Sequence, residues 1–87
     1  MYAVLTVVNF DSSEDEAVQS LHSDIIPMVK QAPGFVRGLW CGDDKRGHGV
    51  VLFDTEEQAR QGVQDVGFTI GGARVVSSEV LKVHGEA

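Results

Sequence analysis

Apolar and polar positions along the chain follow two different periods. Residues 2–10 (Tyr-Ala-Val-Leu-Thr-Val-Val-Asn-Phe) are β-branched, aromatic and aliphatic with no breaker, and predict a strand. They do not alternate: Ala3, Leu5 and Val7 point one way, and Tyr2, Val4 and Val8 the other. A strand apolar on both faces needs a cover on both. Asp11-Ser12-Ser13 stops it. Ser13 with Glu16 then fits a capping box, and Glu14, Asp15 and Glu16 favour the positive end of a helix dipole. Ala17, Leu21, Ile25, Met28, Val29 and Ala32 recur at helical spacing, which predicts a helix over about residues 13–31. Pro27 removes an amide donor inside it and predicts a kink or break near Ser23 to Ile26. Pro33-Gly34 ends the helix.

Two strand-like runs follow, Phe35 to Cys41 and His48 to Phe53, joined by the polar turn Gly42-Asp43-Asp44-Lys45-Arg46-Gly47, a β-hairpin pattern. Thr55 with Gln58 repeats the capping box, and Ala59, Val63 and Val66 give the apolar stripe of a helix over about 55–66, closed by Gly67. An irregular connection at 68–72 leads to a last strand over 73–83 and a frayed tail at 85–87. The order β-α-β-β-α-β is the split βαβ of ferredoxin-like α+β folds, with two helices on one face of a four-stranded antiparallel sheet. The other face is bare in a monomer, yet the first strand and Val50 to Phe53 are apolar on both sides. An uncovered apolar face predicts association, most simply a two-fold homodimer with sheets face to face.

Composition narrows the function classes. Eighty-seven residues allow one domain, with 43% hydrophobic and 23% charged residues, as in folded chains. Seven Lys and Arg against thirteen Asp and Glu give a net charge of −6, which argues against nucleic acid and against an anionic membrane surface. The lone Cys41 excludes an internal disulfide and a cysteine-only zinc site. No apolar run reaches the ~18 residues of a membrane span, and Tyr2 to Val8 lacks the basic flank of a signal peptide, so a cytoplasmic protein is expected. Gly42 and Gly47 have phosphate-loop spacing, but His48-Gly49 stand where Lys and Ser/Thr belong. Gly71-Gly72 lacks the dinucleotide fingerprint, and Asp43-Asp44 alone is a solvated turn. No cofactor and no metal is implied.

Pro33-Gly34-Phe35-Val36, Trp40, and the run Val51-Leu52-Phe53-Asp54-Thr55-Glu56-Glu57-Gln58-Ala59-Arg60 resemble the dimeric α+β barrel superfamily, in its antibiotic-biosynthesis-monooxygenase-like group. The resemblance spans nearly the whole chain through element order, and its motifs mark fold more than reaction. It implies a homodimer with a pocket in each subunit between sheet and helices. Relatives include cofactor-independent quinone-forming monooxygenases, haem-degrading enzymes and small isomerases. The axial histidine of the haem-degrading relatives lies on the second helix, and residues 56–66 contain none.

The resemblance makes Asn9, Trp40 and His48 a candidate catalytic group. Asn9 would hold an oxyanion, His48 would take a phenolic proton and Trp40 would stack on an aromatic ring. The hairpin makes Trp40 and His48 cross-strand neighbours, direct or diagonal. His22, Phe35, Phe53 and Arg37 are candidate substrate contacts, with an ion pair from Arg37 to an acid such as Glu79 across the dimer as the structural reading. The expected function is a homodimeric barrel binding a small apolar or aromatic molecule, with oxygenation of a quinol-type substrate as its catalytic form. The alternative is a non-catalytic barrel that binds a metabolite or a protein partner, its interior filled by Phe35, Trp40, Phe53 and Met28. Catalysis requires that the polar groups converge on one cavity.

Overall fold

The computed structural model describes residues 1–65 and 73–87. Strand β1 (Tyr2–Phe10) is followed by a helical arm: α1 (Glu14–Ser20), a π-helical turn (Leu21–Ile25) and α2 (Ile26–Lys30). Strands β2 (Phe35–Gly42) and β3 (Arg46–Phe53) form the hairpin, and helix α3 (Glu56–Asp65) and strand β4 (Ala73–Lys82) complete the chain. The sheet order is β2-β3-β1-β4 with every pairing antiparallel, the ferredoxin-like arrangement expected from the element order. The end of the predicted second helix at Val66-Gly67 and the connection at 68–72 lie outside the described residues.

Both helix starts are capped by the residues the sequence marks. The Glu16 amide donates to Ser13 Oγ at 3.2 Å, and the Gln58 amide to Thr55 Oγ1 at 3.1 Å. The break ahead of Pro27 takes the form of the π turn, in which the Ile26 amide reaches back to the Leu21 carbonyl. Ala17, Leu21, Ile25 and Val29 explain why the turn widens there. Four-residue steps overshoot a regular helix by about 40° each, so three steps rotate the stripe by roughly 120° off its face. One extra residue in a single turn takes back about 100° of that. Ala17, Ile25 and Val29 all stay buried as a result, with Leu21 half-buried.

Register decides what each sheet face presents. On the helix side, rows run from β2 to β4 as Phe35–Phe53–Tyr2–Lys82, Gly38–Val51–Val4–Val80, Trp40–Gly49–Thr6–Ser78 and Gly42–Gly47–Val8–Val75. Val4, Phe53 and Ala59 form the core against α3. The opposite face carries the rows Arg37–Leu52–Ala3–Leu81, Leu39–Val50–Leu5–Glu79, Cys41–His48–Val7–Ser77 and, from β3 to β4, Arg46–Asn9–Arg74. Val36 in β2 and Val76 in β4 are extra residues at register shifts. No helix among the described residues is long and apolar enough to cross a membrane.

The β2–β3 turn is closed by one carboxylate. Asp43 Oδ1 accepts from the Lys45 amide at 2.9 Å and the Arg46 amide at 2.8 Å. These bonds, from Lys45 first and Arg46 next, hold Asp43 below its ordinary value of 3.8. A folded value below the unfolded one gives stability that is present above the unfolded value and lost as pH falls through the folded one. The Lys45 and Arg46 amide resonances are therefore expected to move in acid with a midpoint below 3.8, and Asp43→Asn should abolish that step. A midpoint at or above 3.8 would contradict the turn geometry.

Candidate functional site

Trp40 is the centre of the helix-side surface, because two glycines give it a seat. A Cβ at Gly49, its cross-strand partner, would meet the indole Nε1 at 2.9 Å, and one at Gly38 would meet the ring at 2.6 Å. The indole therefore lies flat against β2 and β3, where any larger residue would lift it off. Two of the spaces that reach it lie between the sheet and the helices. A larger cleft of about 150 Å³ lies between α1 and the sheet, with Val8, Phe10, Ala17 and Leu21 among its walls and Glu14 and Asp43 at its border. An inner cavity of about 70 Å³ lies under α2 and α3, bounded by Ile25, Val29, Phe53 and Val63. Both spaces touch Thr6, Trp40 and Gly49, so they meet at the tryptophan.

The predicted site residues fall into separate places. Trp40 and Phe53 line the inner cavity. His22, Phe35 and Trp40 share a groove of about 330 Å³ between the helical arm and β2, and His22 is exposed on its rim. Asn9 pairs with Arg46 and His48 with Val7, which puts both on the open face. Trp40 pairs with Gly49 while His48 pairs with Cys41, so the tryptophan and histidine project from opposite faces. The expected convergence of Asn9, Trp40 and His48 is corrected accordingly. His48 borders the larger cleft from the sheet, and Asn9 borders none of these spaces. Asn9 Oδ1 accepts from Arg46 Nε at 3.1 Å, which ties the amide to its cross-strand neighbour on the open face.

Arg37 also has a local role. Its Nη2 lies 3.3 Å from Glu86 Oε1 of the same chain. Glu79 belongs to the Leu39–Val50–Leu5 row. The C-terminal tail therefore crosses from β4 to β2 at the Tyr2–Phe53 end of the sheet. Met28 does not fill the interior as the non-catalytic alternative expects, being 41% exposed.

Sequence reading did not identify Thr6, Ser78, Gly47 or Gly49. The two glycines have no Cβ, and this leaves room for Trp40 and Phe10 on the helix side. The alternation Gly47-His48-Gly49 was the available trace, since small residues two apart in a strand open one face. The chain matches no protein-family model and no curated protein.

Proposed function

We propose that this chain binds a small, largely apolar or aromatic molecule between its sheet and its helices, as a homodimer joined through the open sheet faces. The observation that carries the reading is the pair of apolar spaces meeting at Trp40. Apolar cavities of ~150 Å³ hold a single aromatic ring in other proteins. Leu39, Val50, Val76 and Leu81 support the dimer, being large apolar side chains exposed on strands of the sheet.

Binding stands ahead of oxygenation because, among the described residues, none of these three spaces touches Asn9, His48 and Trp40 together. Oxygenation of a quinol-type substrate keeps the support of Trp40 alone, because the His48 side chain projects from the opposite face of the strand that borders the larger cleft.

Toluene tests the binding reading. It is expected to change the emission of Trp40, the sole tryptophan, in a saturable way and to raise the unfolding midpoint. Ala17→Leu fills the larger cleft from α1, where Ala17 is buried, and should weaken that binding about tenfold or more. If neither emission nor midpoint responds to toluene, the cavity is packing space and the reading fails.

A further inference from the structure

We infer that the ligand of the inner cavity carries one neutral hydroxyl or carbonyl group, and that Ser78 is the residue that selects it. The inference rests on the cavity being a binding site. Ser78 closes the row Trp40–Gly49–Thr6–Ser78 on the helix side of the sheet. Its Oγ is buried and has no hydrogen-bond partner. Ser12 Oγ and Gln58 Oε1 share that condition, but of the three only Ser78 lines the inner cavity. Apart from Thr6 and Ser78, the described lining of this cavity is aliphatic, aromatic or glycine. Buried polar groups are ordinarily paired, so an orphan hydroxyl facing an apolar void has a vacancy that a ligand atom can fill. A hydroxyl both donates and accepts, so it suits an alcohol, a phenol or a ketone.

The charge of that group follows from the walls. No described residue lining the inner cavity is basic. A carboxylate or phosphate there would be buried without a counter-charge, which is strongly unfavourable. An ammonium would face the same problem, since no acidic residue lines it either. The ligand class is therefore a neutral ring or short chain bearing a single oxygen, with the oxygen at the Ser78 hydroxyl and the apolar part extending past the Trp40 indole into the adjoining larger cleft.

Phenol and toluene, nearly equal in shape, separate this inference from the general one. Both are titrated against wild type, Ser78→Ala and Ser78→Thr, read by Trp40 emission and by the unfolding midpoint. Ser78→Ala is expected to weaken phenol about fivefold, the value of one net hydrogen bond, and to leave toluene within twofold. Ser78→Thr keeps the hydroxyl and should retain phenol. If Ser78→Ala weakens both probes equally, or neither, the selective role of Ser78 is overturned while the cavity reading stands. If wild type binds neither probe, both readings fall together.

Discussion

Phe53→Ala is expected to lower the unfolding free energy by about 3–5 kcal/mol, the range for a buried aromatic truncated in a core. Phe53 is 1% exposed and, with Val29, is one of the two largest fully buried side chains. It stands in register with Phe35 and Tyr2, and its ring reaches α3, where a Cβ on Gly62 would come within 2.5 Å of it. The position suits the upper part of that range because the site has little means to collapse. Gly62 on one side has no side chain to move in, and the inner cavity of about 70 Å³ already borders the ring. The void left by the phenyl group would add to that cavity, and the penalty grows with the volume left empty. A domain's whole stability is about 5–15 kcal/mol, so the variant should lose a large fraction of its stability and unfold at a much lower urea concentration. Urea unfolding with an unchanged m-value checks the figure. A loss under about 1.5 kcal/mol, the scale of a tolerated core swap, would show that α3 settles onto the sheet and that the core is not fixed by this ring.

The elements of the fold were legible because their signals are local. Ser13 and Thr55 cap their helices through hydrogen bonds to residues three positions on, and Pro27 breaks its helix by lacking a donor. The even four-residue spacing from Ala17 to Val29 also carried the π turn, although a proline alone does not say whether a kink, a break or a wider turn will result. The site was less legible because it depends on parity. Trp40 was expected beside residues 48–49, and that neighbourhood is correct, but pairing with Gly49 rather than His48 sends the indole to the other face. The length of the β2–β3 turn sets that parity, running unbroken from Gly42–Gly47 to Trp40–Gly49, and the polar run 42–47 does not say which of its residues belong to the strands. β1 gave no help, since it is apolar on both sides and its alternation cannot say which set meets the helices. Ser78 was hidden for a further reason. A serine in an edge strand normally faces water, and only the row it shares with Thr6 and Trp40 turns it inward.

Placing acids at Leu39 and Val50 is expected to convert the proposed homodimer into a folded monomer. The two residues face each other across β2 and β3, in the row that continues through Leu5 to Glu79. This is the second of the four open-face rows and an inner one, so a two-fold axis near the centre of the face would bring it close to its own copy. Leu39→Glu with Val50→Glu then gathers four new carboxylates at the centre of the contact, from two chains that each carry −6 already. Removing an unpaired charge from water costs several kcal/mol, and each 1.4 kcal/mol is tenfold in affinity, so dissociation should strengthen by about a hundredfold or more. The protomer itself should be little affected, because Leu39 is 66% exposed and Val50 36% exposed within the single chain. Native mass spectrometry gives the stoichiometry, and circular dichroism confirms that the strands persist. Leu39→Thr with Val50→Thr is the control, since it lowers apolar area without charge and should weaken the dimer less. A double glutamate variant that stays dimeric would move the interface off this face, to the exposed edges of β2 or β4, whose backbone groups are unpaired on one side. A wild-type monomer would be the stronger contradiction, because it would leave the apolar row Leu39–Val50–Leu5 standing in water with no partner to account for it.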